Sequence, residues 1–259
     1  MDTIEGNFIL DTGCPNLVLN LTYFRHYPTT FDQEAEKTGV TGSIPSVVQT
    51  LVKKFSLGTS EQYRVEADLV NLGHIENNKG VKVLGLLGME LLKQFELIID
   101  YEKNLLYFHQ LKRKGYSQYQ HVMLMDNSAY YTVPIELLDN RVIVRTEMAG
   151  KRIRMVVDTG AECNILDSRL PDRVFENVLI TGRTLLSGAG NKKVEVLQGD
   201  LKNMRMGNQL VSKLPVIVTN LEKTCFSISG CADGVLGFDF LSLQKIGFNF
   251  VNQKMYIWK

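Results

Sequence analysis

Apolar residues recur along the chain in short runs of strand length, separated by turn residues. Val133–Leu138, Arg141–Arg145 and Ile153–Val157 are β-branched or apolar runs bounded by such residues, and each predicts a strand. Asp139-Asn140 and Ala149-Gly150-Lys151, which separate them, predict hairpin turns. Near the end, Gly247–Phe250 and Lys254–Trp258 flank Asn252-Gln253 and predict a final hairpin. Helical periodicity is sparse; the best candidates are Met89–Phe95 and Phe238–Gln244. The pattern therefore predicts a mainly all-β protein with few short helices.

The same pattern occurs twice. Phe8–Gly13 reads Phe-Ile-Leu-Asp-Thr-Gly, and 147 residues later Met155–Gly160 reads Met-Val-Val-Asp-Thr-Gly. Gly85-Leu86-Leu87-Gly88 is matched at an offset of 149 by Gly234-Val235-Leu236-Gly237. At that offset Thr38-Gly39 also matches Ser187-Gly188, Gly58 matches Gly207, Asp100 matches Asn249 and Tyr107 matches Tyr256. Several landmarks at one spacing indicate an internal duplication, and two copies are too few for a solenoid. The expected organisation is an N-terminal lobe 1–112, a connector 113–129 and a C-terminal lobe 130–259, related by an approximate two-fold axis. The halves are unequal at their starts: 28 residues from Tyr130 precede Asp158, but only ten precede Asp11. The expectation is that the N-terminal lobe is missing its first strands; either the sequence lacks its natural start, which is the favoured reading, or that lobe is itself shorter by a strand or two.

Composition narrows the function classes. The 259 residues are 44% hydrophobic and 22% charged, with a formal net charge of +1, which fits an ordinary soluble globular protein. That balance offers no electrostatic footprint for nucleic acid. No apolar run approaches the roughly 20 residues of a membrane-spanning helix, and no signal peptide is visible. The four cysteines form no Cys-x-x-Cys pair and the four histidines no zinc spacing, so neither a metal site nor a cofactor is expected. Cys225 and Cys231 are close enough in sequence for a disulfide to close a small hairpin, or they could remain two thiols.

The chemistry lies in the two Asp-Thr-Gly tripeptides. Each follows three apolar residues, and each is followed in its half by an apolar-apolar-Gly motif. On Ile9–Cys14, Leu86–Gly88, Val157–Ala161 and Val235–Gly237, the chain resembles the aspartic peptidases, the superfamily of pepsin and the retroviral proteases. The compact halves resemble two retroviral-type subunits fused in tandem. The resemblance implies a bilobal acid-protease fold of two β-barrel-like lobes, with Asp11 and Asp158 as the catalytic pair. Hydrolysis by water needs one group to accept a proton and another to give one. Two carboxyls at contact distance do both, because like charges cannot both ionise easily and the pair holds one proton. The resemblance further implies that the Thr12 and Thr159 hydroxyls bond across the interface. Gly13 and Gly160 would admit close backbone approach beside the acids.

Each half also has a flap candidate. The first includes Gly39, Thr41, Gly42 and Ser43; the second is Ser187-Gly188-Ala189-Gly190. No tyrosine lies between Gly39 and Val52, so the paired glycine flaps fit the retroviral arrangement better than the pepsin one. Cys14 and Cys163 have no histidine in either motif to activate them, and packing is their expected role. Ile44, Val47 and Leu185 are expected to line an apolar cleft. The resulting expectation is an aspartic endopeptidase acting on peptide or protein substrates as a monomer. The alternative is an inactive peptide-binding or scaffold protein on the same fold. The cysteine pair and the resemblance lean toward an exported protein, whether periplasmic, cell-surface or secreted.

Overall fold

The computed structural model describes residues 4–39, 42–111, 121–187, 193–222 and 231–259, with the backbone alone for those between 30 and 46. The first part contributes β1 (Asn7–Leu10), β2 (Leu17–Asn20), β3 (Thr29–Gly39), β4 (Gly42–Leu57), β5 (Ser60–Val70), β6 (Val83–Leu87), β7 (Phe95–Asp100) and β8 (Leu105–Gln110). The second contributes β9 (Tyr130–Leu138), β10 (Arg141–Met148), β11 (Lys151–Val157), β12 (Ile165–Asp167), β13 (Val178–Ser187), β14 (Lys193–Met206), β15 (Gln209–Thr219), β16 (Gly234–Leu236), β17 (Ile246–Asn249) and β18 (Lys254–Trp258). Helices are short: α1 (Leu21–Phe24), α2 (Gly73–Lys79), α3 (Met89–Leu92), α4 (Asp172–Phe175) and α5 (Phe238–Leu241). The protein is mainly β and bilobal. Among the described residues no helix is long and apolar enough to cross a membrane.

Two sheets organise these strands. One has the order β1-β6-β2-β5-β4-β3, and the other β13-β14-β15-β12-β16-β11-β10-β9-β18-β17-β7-β8. The run from β11 to β13 repeats the first sheet in order and sense. β1–β6 and β11–β16 are parallel, as are β2–β5 and β12–β15, while β2–β6 and β12–β16 are antiparallel. The halves meet where β17 pairs antiparallel with β7, Ile246 opposite Ile99 and Asn249 opposite Glu96. Met89, Leu97 and Ile99 therefore share one apolar core with Phe248, Met255 and Ile257.

The hairpins follow local turn chemistry. Leu138 pairs with Arg141, and both Asp139 and Asn140 take positive φ, of 47° and 53°. That left-handed two-residue turn matches strand twist. Ala149 and Gly150 form the next one, with Lys151 already paired to Met148. The helix candidates shorten to single turns. Met89–Leu92 stops because Phe95 opens β7, whose ladder to β8 and β17 claims the backbone. Phe238–Leu241 stops short of Gln244.

The apolar triplets ahead of the two acids do not alternate, because their strands are covered on both faces. Met155 and Val157 pack into the main core, and Val156 packs into a second cluster with Ile143, Ile165 and Val235. Burying each such side chain stabilises by about 1.5–3 kcal/mol.

Candidate active site

The strand ends deliver the two acids to one place. Asp11 follows β1 and its N–H donates to Leu87 O on β6 (3.1 Å). Asp158 follows β11 and donates to Leu236 O on β16 (2.9 Å). Each apolar-apolar-Gly strand thus runs beside its acid and fixes its height. The glycines that end these strands are required by space. A Cβ on Gly88 would lie 2.0 Å from Asn16 O, and one on Gly237 would lie 2.4 Å from Cys163 O.

The threonines join the loops reciprocally. Thr12 Oγ1 donates to Val157 O (2.7 Å) and accepts from Thr159 N–H (3.1 Å). Thr159 Oγ1 donates to Leu10 O (2.7 Å) and accepts from Thr12 N–H (3.1 Å). Thr12 is fully buried. The glycines next along pack across the same junction. A Cβ on Gly13 would fall 2.3 Å from Asp158 Oδ2, and one on Gly160 would fall 2.6 Å from Asp11 Cγ. Each glycine therefore makes room for the opposite acid.

The carboxyls lie within hydrogen-bonding reach of each other. Burial raises the Asp11 pKa well above the usual carboxylate range, and the Asp158 charge and the hydrogen bond to it add to the rise. Burial raises Asp158 as well, but the N–H groups of Gly160, Ala161 and Gly13 and the Asp11 carboxyl favour its ionised form. Asp158 Oδ1 accepts from Gly160 N–H at 2.8 Å and from Ala161 N–H at 3.2 Å; Asp11 Oδ1 accepts from Gly13 N–H at 3.0 Å, and the Cys14 N–H also favours its ionised form. The two acids therefore titrate as a pair that keeps one proton past the usual carboxylate range.

This pairing has a consequence for stability. A carboxyl whose pKa is higher in the folded than in the unfolded chain keeps its proton longer on folding. Stability then falls as pH rises from about 3.8, the unfolded value, to the raised Asp11 value, and is level above it. Asp11→Asn, which cannot ionise, is expected to melt higher than the unsubstituted protein above that window and to lose the advantage below pH 3.8. Thermal melts of both proteins across pH measure this.

Residues 144–240 match the family model for aspartyl proteases. The matched stretch contains Asp158 and Gly234–Gly237 but not Asp11. The chain is also similar to a retropepsin-like aspartic protease from Rickettsia conorii, at 15% identity and a TM-score of 0.33, over 49% of this chain and 98% of that one. No curated protein matches.

The remaining candidates are placed less fully. Gly39 pairs with Gly42 and Thr38 with Ser43 at the tip of β3–β4. Thr41 lies outside the described residues, as do Gly188, Ala189 and Gly190, while Ser187 pairs with Lys193 at the end of β13. Cys231 is disulfide-bonded, and Cys225 lies outside the described residues. Neither Cys14 nor Cys163 is in a disulfide, and Cys14 Sγ donates to Asn16 O at 3.4 Å. Burial and the nearby Asp239 and Glu162 push Cys163 up to about 11, so it stays a neutral thiol at physiological pH. Among the described residues no cluster of three His, Cys, Asp or Glu could hold a metal.

Two single residues depart from the sequence expectation. Val47 does not line a cleft: it is 1% exposed, turned into the protein, whereas Leu185 is 63% exposed and the Ile44 side chain is outside the described ones. Asn164, not singled out in the sequence, is a buried support. Its Oδ1 accepts from Gly237 N–H (2.9 Å) and its Nδ2 donates to Pro215 O (2.9 Å), which ties the glycine motif to β15. Its position just after the Asp-Thr-Gly loop was the available signal.

Proposed function

We propose that the chain is an aspartic endopeptidase, in which Asp11 and Asp158 activate a water molecule against a peptide bond of an extended polypeptide. The observation that carries this reading is the placing of two carboxyls, one from each half, at the junction of two reciprocally bonded loops. Asp158, the anion, takes a proton from the attacking water as Asp11 gives its proton to the carbonyl oxygen. The resulting gem-diol then collapses, with proton transfer to the leaving nitrogen and cleavage of the C–N bond. Unequal surroundings, which push the pKa values of neighbouring acids apart, are what divide the two roles, as is general for aspartic protease dyads.

Internal duplication supports the same reading: strand order and sense repeat across the halves, and each copy supplies one acid. On this reading the active unit is a monomer with its own pseudo-two-fold axis and needs no nucleic acid, metal or cofactor. The β3–β4 and β13–β14 tips would serve as flaps that close over the substrate. An exported setting suits the disulfide at Cys231, because such bonds persist in oxidising compartments.

The test is hydrolysis of an unfolded protein, from acid to neutral pH, in excess chelator. Cleavage is expected to survive the chelator and to stop with a statine-containing peptide, whose hydroxyl mimics the gem-diol. Tight peptide binding without cleavage at any pH would instead support the scaffold reading.

A further inference from the structure

The two halves lace their catalytic loops to the supporting strands by nearly the same bonds. Asp158 N–H donates to Leu236 O (2.9 Å), and Phe238 N–H donates to Ala161 O (2.8 Å). Asp11 N–H donates to Leu87 O (3.1 Å), and Met89 N–H donates to Cys14 O (2.9 Å). The difference lies in the peptide group between these anchors. In the second half its carbonyl, Leu236 O, receives the Asp158 N–H, and its own N–H, that of Gly237, donates to Asn164 Oδ1 at 2.9 Å. One peptide plane is therefore held on both sides, by the acid and by the asparagine.

Asn164 is itself fixed. It is fully buried and uses both ends of its amide, Oδ1 on Gly237 N–H and Nδ2 on Pro215 O (2.9 Å). These partners set the orientation of the amide, because only its oxygen accepts and only its nitrogen donates. Its backbone carbonyl accepts from Ile217 N–H (2.8 Å). The first half places an apolar residue there. Val18 pairs with Leu86 as Ile165 pairs with Val235, so the residue matching Asn164 is Leu17. Leu17 is fully buried in an apolar cluster with Leu19 and Leu69, and its side chain offers no acceptor to Gly88 N–H.

We propose that Asn164 is a positioning residue for Asp158 and not for Asp11. By holding the Gly237 N–H it sets the tilt of the Leu236–Gly237 peptide, and with it the direction from which Leu236 O receives the Asp158 N–H. A peptide bonded at its N–H is also the better acceptor at its carbonyl, since hydrogen bonds in series polarise one another. The effect on geometry stands on these bonds alone; the effect on turnover rests on the peptidase reading above.

The test follows amide hydrogen exchange at both acids in Asn164→Ala, with turnover of an unfolded protein measured alongside. Exchange at Asp158 N–H is expected to speed by at least about tenfold relative to Asp11 N–H. kcat should fall about a hundredfold while KM changes by less than about threefold, because a misplaced group weakens transition-state rather than ground-state binding. Asn164→Asp keeps an oxygen for Gly237 N–H and loses only the bond to Pro215, so its ratio of exchange rates should stay close to that of the unsubstituted protein. Where the alanine variant does not fold, Asn164→Ser, whose side chain is one atom shorter, gives the same comparison. Equal acceleration at the two acids would make Asn164 an ordinary structural support and overturn the proposal. So would no acceleration at either, the same selective response in the aspartate variant, or a selective response with kcat unchanged. A selective response in a protein that cleaves nothing even when unsubstituted would uphold the positioning and refute the peptidase reading.

Discussion

Asp158→Asn is expected to lower kcat on the order of ten-thousandfold, about 5 kcal/mol of transition-state stabilisation, while the protein stays folded. The amide keeps the size of the carboxyl and can still accept from Gly160 N–H through its oxygen. It cannot take a proton from water, which is the task proposed for Asp158. Asp11→Asn is expected to be similarly inactive for the complementary reason: it has no acidic proton to give. The unsubstituted enzyme should show a bell in kcat/KM against pH. The acid limb reports ionisation of the first carboxyl, and the basic limb reports loss of the shared proton, which belongs to the pair. Because burial raises both groups, that bell should lie above the range of ordinary surface carboxylates. Retention of substantial turnover by Asp158→Asn, measured on purified protein with an unchanged circular dichroism spectrum, would rule out the two-acid mechanism.

Thr12→Val is expected to destabilise by about 2–5 kcal/mol, lowering Tm by roughly 5–15 °C. Valine fills the same volume but removes a hydroxyl that serves two groups of the opposite loop, Val157 O and Thr159 N–H. With Thr12 fully buried, water cannot replace it, and each unmade bond carries a desolvation cost of about 1–3 kcal/mol. Thr12→Ser keeps the hydroxyl and should lose far less. Thermal melts of the two variants measured side by side separate the hydrogen bonds from the packing. Equal, small losses in both would mean that the loops are held together by something other than this reciprocal pair.

What the sequence disclosed was whatever is written locally. Asp139-Asn140 and Gly150 announced their turns because left-handed torsions select such residues; Ala149 takes one without that preference. The acids were legible because the loop around each has a fixed residue order. Other features have no local signature. α2, Gly73–Lys79, has a polar sequence with no apolar stripe. It is anchored by Glu76, whose carboxylate accepts from Tyr23 (2.6 Å), Asn20 (3.2 Å) and Val83 N–H (2.9 Å), groups brought there by the tertiary fold. Val47 reads like any apolar strand residue, and only the sheet decides which face it takes. Two identical Asp-Thr-Gly tripeptides likewise cannot say which acid keeps the proton. The surroundings differ in one donor, the Gly13 N–H that reaches Asp158 across the junction, beside the two loop N–H groups that act on each acid.

The ladder between β7 and β17 also constrains the order of events during synthesis. Glu96 meets Asn249 across 153 residues, and their hydrogen bond is buried. Residues 95–100 leave the ribosome long before their partner strand has been translated. Contacts this distant along the chain form late and slowly. Until then β7 has one hydrogen-bonding edge without its native neighbour, and the apolar residues Leu97 and Ile99 wait beside it for Phe248. The nascent chain is therefore most prone to aggregate in the interval before β17 emerges.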